Sequence, residues 1–443
     1  MNLFKLLYIF IIAAFLNAED CSQLKKLYSS ENFRDAYDII IINPEITSTE
    51  ECQYLGFQAS LKVEDFDKAT EYLNILLKNN PDNIDYKNSS KLVIKILQDY
   101  KAAKYTLEKV DTDEAINEYK QAIQNDELLS FSIFYNGLAN AYKKKDKELG
   151  QSDSLKFDLL DLAVKNYDIA NTINEYKGYD ESVLNISKIL AQKGKTAKDN
   201  DDYNSAMQFF KKSAEYSPNY SKAHFLLGEL YFRITDFQLA IKSLQTGLGS
   251  KFQEGNPTAL YMLGKCHEKI GNLELAKQFY EYAINNKPSS SSYRLALANV
   301  LFSLQEFSNA ENILFDIIDL NPSYIKAYEL LVNIYIEIEN LDKAREYSNK
   351  GLSVDSKSKL LYAQLAFMDN EVEQYDLSIK NSNKALSIDR KYGPALIQLG
   401  RSNVFLCNKI KAEDAFKRAR SYDRRQVSQL QEWANEHFKS VCK

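Results

Sequence analysis

A step of 34 residues runs through the second half of this 443-residue chain. A sequence that repeats itself at that length must fold as a stack of similar units. Counting back from Pro322 by one step lands on Pro288; counting forward gives Ser356, Arg390 and Arg424. Four columns keep the register. Ala276, Ala310, Ala344, Ser378 and Ala412 are all small. Ala283, Ile317, Gly351, Ala385 and Ala419 are mostly small. Leu263, Leu297, Leu331, Leu365 and Leu399 are identical, and Gly264, Ala298, Val332, Ala366 and Gly400 again stay small. Small residues belong where two helices cross closely, because larger ones would push the axes apart; the leucine column fills the space between units.

Each unit reads as a helical hairpin. In 321–355, Pro322 punctuates the entry, and Tyr328, Leu331, Val332 and Tyr335 share one helical face. Glu339 and Asn340 make the turn. Leu341, Ala344 and Ser348 then line the second helix, with Gly351 and Leu352 near its end. One such hairpin cannot bury both of its faces, so it requires a neighbour on either side. Composition agrees. Apolar residues make up 45% and charged residues 26%, as in a folded soluble chain, while 14 Gly and 7 Pro are too few for a turn-rich β protein. The fold class is all-α. A net charge of −5 offers no global field for nucleic acid or an anionic membrane.

The pattern resembles the tetratricopeptide repeat: Leu-Gly, an aromatic three residues on, then Ala, an aromatic, Ala and Pro. One copy runs Leu227, Gly228, Tyr231, Phe237, Ala240, Leu244; the next runs Leu263, Gly264, His267, Gly271, Ala276, Tyr280, Ala283, Pro288. Six units cover about 221–426, interrupted by two extra residues near Gly249–Pro257. A weaker unit precedes them, with Tyr203, Ala206, Phe210, Ala214 and Pro218 in its second helix. The resemblance implies an α-solenoid of about ten tandem hairpins in a right-handed superhelix. The expected divisions are 1–18 as a signal peptide, 19–186 as irregular repeats, 187–426 as the regular array and 427–443 as a C-terminal capping helix.

Within the irregular part, Phe33 to Ala36 and Phe66 to Ala69 mark hairpin turns, and Ala115, Tyr119 and Ala122 mark a second helix. Leu138, Ala139 and Tyr142 open a unit that Ala163, Tyr167 and Ala170 finish, about 12 residues later than usual. The excess is KKKDKELGQSDSLK, a polar loop or a lengthening of the helices. Soft joins are expected near 85–95 and 175–187. In the capping helix, Leu430, Trp433, Ala434 and Phe438 form one apolar face, which closes the last unit.

Lys5 followed by the apolar run Leu6 to Leu16, then Asn17-Ala18, is the layout of a secretory leader, too short to span a bilayer comfortably. Asp20 and Glu19 before Cys21 stand where lipidation requires small residues. Export permits disulfides among Cys21, Cys52, Cys266, Cys407 and Cys442. In the stacked hairpins implied by the resemblance, Cys407 and Cys442, 35 residues apart, fall at one end of adjacent parallel helices. Cys21 and Cys52, 31 apart, stand in a similar relation. The expected pairs are Cys407–Cys442 and Cys21–Cys52, with free buried thiols as the alternative; Cys266 is left as a packing residue.

Chemistry-bearing motifs are scarce. His224, His267 and His437 lack metal-ligand spacing, and His267 occupies the aromatic column of its hairpin, so a core role is expected. No phosphate loop or nucleophile elbow is present. Asp199 to Asp202 reads as a solvated turn rather than a calcium loop, and the basic run from Lys409 to Arg425 as a solvated face or a docking patch. No cofactor, metal or catalytic activity is expected. Asn88, Asn185 and Asn219 each begin an Asn-x-Ser glycosylation triplet, which leaves eukaryotic secretion open.

In the resembled family the first helices line the inner surface. A wheel projection places Phe225, Glu229, Phe232 and Arg233 there, then Tyr261, Lys265 and Lys269, then Asn299 and Phe302. Asn333 and Ile336 follow, then Phe367 and Asn370, then Ile397, Arg401 and Phe405. Rings mixed with amides and cations suit an extended peptide; alternatively the rings pack against neighbouring helices. Glu329, Gln364, Pro394 and Gln398 depart from the Lys and Asn pattern with which some family members clamp a chaperone's terminal carboxylate. The expected function is a non-catalytic scaffold, exported to the periplasm or secreted, binding a peptide or protein partner in its groove. No nucleic acid partner and no membrane span after leader cleavage are expected. A role in an envelope assembly or secretion complex, with peripheral envelope association, rests on analogy. The alternative is an accessory of glycan export or binding, for which exposed rings would be the sign.

Overall fold

A computed structural model describes residues 21–250 and 252–442. The expected leader lies outside them. The described residues form 23 α-helices joined by short turns and four 3-10 turns, without a strand among them. Successive helices pair into antiparallel hairpins, so the chain is an all-α array of helical hairpins.

The hairpin turn has a single local cause. Glu31, Glu64, Asp201, Thr235, Gln305, Glu339, Glu373 and Cys407 all take φ between 56° and 66°. Each ends a first helix in the left-handed region. The amide after it reaches back five residues to a carbonyl: Asn340 to Tyr335 at 2.8 Å, Asp65 to Ser60 at 2.9 Å, Asn408 to Asn403 at 2.7 Å. That same residue starts the second helix. Asn32, Asp65, Asp202, Asp236 and Asn340 accept a bond from the amide three residues on, which satisfies an N-terminal donor. Turn and cap thus share two adjacent residues.

Close approach of the paired helices follows from complementary volumes. A Cβ on Gly264 would stand 2.5 Å from the Tyr280 ring, on Gly400 2.5 Å from Phe416, and on Gly194 2.6 Å from Phe210. In each of these three the large partner is 16 residues later. Where the first helix carries Val332 the position 16 later is Ser348, and Ala366 is followed by Ser382. The sum is kept while the members trade size.

The chain divides into two compact units, one ending at Leu226 and one beginning at Leu227. Residues 186–187, where the repeat pattern becomes regular, lie inside the helix Asp180–Asp199. In the first unit, the soft join expected at 85–95 is instead part of one 26-residue helix, Ile84–Lys109. Asn83 caps it through bonds to the amides of Asp85 and Tyr86, and no Gly or Pro interrupts it. The later join is a 3-10 turn, Glu175–Lys177, with Gly178 at φ 68°. The excess residues after Tyr142 divide between both expected forms. They lengthen the helix Ser132–Leu149 to 18 residues and then make a short crossover through Ser152–Ser154.

In the second unit the small columns are fully enclosed: Ala276, Ala310, Ala344, Ser378 and Ala412 have no exposed surface. The last helix, Arg424–Ser440, buries Val427 and Ala434, with Leu430, Trp433 and Phe438 packed around them. Cys21 is bonded to Cys52 and Cys407 to Cys442, each with Cα atoms 5.5 Å apart. Cys266 is buried and free.

A candidate peptide pocket on the first helices of the second unit

Four of the projected groove residues come together. Tyr261, Lys265, Asn299 and Phe302 line a cavity of about 480 Å³ between the helices Pro257–Lys269 and Ser291–Ser303. Tyr324 and Lys326, at the start of the next hairpin, close its far side. Tyr261 and Tyr280 in the lining have ring centres 5.5 Å apart, and Tyr261 also stacks 4.7 Å from the buried Tyr293 at 23°. Burial raises the pKa of the Tyr261 hydroxyl, with the Glu268 carboxylate adding to it, so it stays a neutral donor. Tyr280 donates to Glu268 at 2.6 Å, which occupies the one carboxylate in the lining.

The cations are differently placed. The Lys265 ammonium sits 4.8 Å over the Phe232 ring and 5.7 Å over Tyr261, held by faces rather than by a carboxylate. Lys326 is exposed and, among the described residues, joins no ion pair. Asn299 spends its NH2 on the Leu295 carbonyl at 2.8 Å, which leaves its side-chain oxygen as the acceptor it can offer. The pocket therefore offers two cations, an amide oxygen and ring faces.

The remaining projected residues fare differently. Phe232 packs edge-on against Phe237 at 5.5 Å and Phe302 against Phe307 at 5.7 Å; Phe225, Glu229 and Ile336 are half-buried, and Arg233 and Lys269 are exposed. Asn370 and Ile397 do not face the groove: each is only 4% exposed. Asn370 turns inward because it bonds Gln398 at 3.0 Å and receives Ser402 at 2.7 Å, ties a wheel projection of one helix cannot see. Asn333 accepts from Gln364 of the next hairpin, and Arg401 pairs with Glu371 at 2.9 Å beside the Phe367 ring. Phe405 stacks on Tyr375 at 4.6 Å and meets Trp433 and His437 of the last helix, so neighbouring packing, the alternative for the rings, describes it.

Sequence reasoning missed Tyr293, Tyr324 and Lys326. Tyr293 had a signal: it stands in a column with Ala259 and Ala327, where an aromatic is out of place unless it fills a neighbour's side. It also missed Asp369, wholly buried and held by Arg345 at 2.7 Å and Asn381 at 2.7 Å. His267 is buried, stacked 5.3 Å from Phe279, with neither ring nitrogen bonded. Among the described residues no group of three or more His, Cys, Asp or Glu could hold a metal, and no helix is long and apolar enough to cross a membrane.

Models of the tetratricopeptide repeat match residues 187–220, 225–292 and 325–358. The chain carries tetratricopeptide repeats. Two curated relatives match part of the chain. The human protein O-mannosyl-transferase TMTC1 is 33% identical over 105 residues, 24% of this chain and 12% of that protein. The 131 kDa subunit of transcription factor tau from Saccharomyces cerevisiae is 32% identical over 95 residues, 21% of this chain and 9% of its own. This chain thus spans a small fraction of the length of either relative. Among solved structures, a tetratricopeptide repeat protein from Parabacteroides merdae is 18% identical at a TM-score of 0.47, covering 56% of this chain and 99% of that one. PilF of Pseudomonas aeruginosa is 14% identical at 0.41, covering 48% and 96%.

Proposed function

We propose that this tetratricopeptide repeat protein is an exported, non-catalytic scaffold that grips an extended, acidic partner segment in the pocket around Tyr261 and Lys265. Repeats of this type support a protein-interaction role. The observation that carries the finer reading is the charge arrangement. Lys265 and Lys326 approach one cavity without carboxylate partners, between ring faces and beside the Asn299 amide oxygen. An extended peptide presents amide donors at regular spacing and side chains to alternate sides, so the Asn299 oxygen would take a backbone N–H and the lysines a Glu or Asp. Two cross-linked cysteine pairs and the leader-like start support export, to a periplasm or outside the cell, where a complex of the envelope or of secretion would supply the partner. The glycan-accessory reading gains less, because the pocket rings stack on one another rather than standing open.

The test is fluorescence anisotropy of the full chain against a panel of extended peptides, half bearing Asp and Glu and half bearing Lys. Acidic peptides should bind, and Lys265→Glu with Lys326→Glu should weaken them tenfold or more. Equal binding of both halves, unchanged in the variant, would remove the pocket from the proposal.

A further inference from the structure

A second cavity, of about 610 Å³, lies in the first unit, where the repeat is broken by its extra residues. The lengthened helix Ser132–Leu149, the crossover at Ser152–Ser154 and the helix Asp180–Asp199 form its walls. Its floor is apolar: Leu160, Ile186 and Leu190 are buried, while Ile189 remains 55% exposed at the mouth. A volume of this size suits a small ligand.

The charged groups around this floor do not cancel. Asp146 is buried and accepts the Ser152 amide at 3.1 Å. Asp153 pairs with Lys193, which also donates to Ser152 Oγ at 2.8 Å. Lys144 is engaged by the Leu107 carbonyl and by Glu148 at 3.6 Å. Two lining cations are left. Lys143 is half-buried, its ammonium 3.3 Å from the Tyr167 hydroxyl and over that ring, with no carboxylate in reach. Lys147 is exposed at the rim, also without a carboxylate partner among the described residues. A half-buried ammonium facing an apolar cavity is costly unless an anion joins it. Unlike the pocket on the second unit, this lining contains no Asn or Gln to pair with a peptide backbone.

We infer that this cavity binds a free anionic single-chain amphiphile, with the alkyl chain over Leu160, Ile186 and Leu190 and the head group between Lys143 and Lys147. The twelve or so residues that depart from the repeat build this site, and it is independent of the peptide pocket. No bond is made or broken; the gain is apolar burial plus one ion pair partly shielded from water.

Calorimetric titration of the full chain with dodecanoate, below the concentration at which it forms micelles, tests this. Dodecyltrimethylammonium, with the same chain and opposite charge, is the control. Dodecanoate should saturate at one site at least tenfold more tightly than the cation. Lys147→Glu and Ile189→Asp alter exposed side chains and should keep the thermal transition, yet each should weaken dodecanoate tenfold. Equal binding of the two amphiphiles, or dodecanoate binding indifferent to both variants, would overturn the assignment. So would flotation of the protein with phosphatidylglycerol vesicles that the same variants abolish, since that places a membrane surface there instead.

Discussion

Glu64 holds the start of a helix 68 residues away: its carboxylate accepts both the backbone amide and, at 2.8 Å, the hydroxyl of Ser132. Tyr179 stands 2.9 Å from that hydroxyl, and the Lys177 ammonium reaches the Glu64 carbonyl at 3.3 Å. The helix Ser132–Leu149 has no cap from its own N-cap residue, Phe131, so a side chain from a turn of another hairpin supplies it.

Replacing Glu64 separates the hydrogen bond from the charge. Burial pushes its pKa above the ordinary 4.5, and the bonds from Ser132 pull less strongly the other way. A carboxyl whose folded pKa is raised favours the fold when protonated. Its contribution is therefore largest below the unfolded value and declines as pH rises from 4.5 through the folded pKa. Glu64→Ala leaves the Ser132 amide unpaired and should cost about 1–3 kcal/mol. Glu64→Gln keeps an acceptor and should cost clearly less, with the gap to wild type shifting in favour of Gln as pH rises above 4.5. Urea melts at several pH values followed by tyrosine fluorescence read this. A Gln variant as unstable as Ala at every pH would mean that the charge itself is required.

Acidification should act through His267 with the opposite slope. Burial holds its pKa below the usual 6.5, and neither ring nitrogen has a partner that would welcome a proton. The unfolded chain then binds the proton first, so stability present above pH 6.5 is lost as pH falls through the folded pKa. His267→Phe keeps the stack on Phe279 and removes the titration. Thermal melts should show the wild type losing more between pH 7 and 5 than the variant; parallel curves would contradict the buried neutral ring.

The paired volumes of the two helices can be exchanged by mutation. Gly264→Val drives a side chain into the Tyr280 ring and should cost about 1–3 kcal/mol or more. Tyr280→Ser alone empties a wholly buried site and should cost about 3–5 kcal/mol. Together they recreate the Val332 and Ser348 arrangement found two hairpins on. The double variant should be at least about 1 kcal/mol more stable than the sum of the singles. Simple additivity in a double-mutant cycle would show that the two positions do not share one space.

Much of this was legible in the residues because it is local and repeated. The small columns, the left-handed turn at Glu339 and the Asn340 cap all lie within one 34-residue period, and each copy confirms the others. What escaped has no copy. The Glu64 to Ser132 cap joins two irregular hairpins through side chains 68 residues apart. Asn370 looked like a groove residue on the wheel of its own helix, but Ser402 of the neighbouring first helix claims it. A wheel locates a face to within a turn, whereas the neighbour decides which edge of that face stays wet. The cavity of the first unit was hidden for a related reason: nothing within the helix Asp180–Asp199 separates the exposed Ile189 from the buried Ile186 and Leu190, and only the lengthened helix Ser132–Leu149, lining the same space, shows the difference.

The bond between Cys407 and Cys442 ties the last hairpin turn to the end of the closing helix, and its loss should act there first. Cys407 occupies the left-handed turn position, so the bridge holds a backbone point that is already fixed by the Asn408 to Asn403 hydrogen bond. Closing a loop of 35 residues stabilises by about 4 kcal/mol in the chain-entropy account. In a stacked array a terminal element can open without its neighbours. Cys442→Ser should therefore release Arg424–Ser440 at lower urea than the rest of the second unit. The single tryptophan makes this readable: Trp433 packs 5.4 Å from Phe405 across the junction, and its fluorescence reports the cap alone. In the variant, tryptophan fluorescence should change well before the helical circular dichroism is lost. In the oxidised wild type the two transitions should lie closer together, and dithiothreitol should separate them. Coincident transitions in the reduced variant would mean that Val427, Leu430 and Trp433 hold the cap without the bridge.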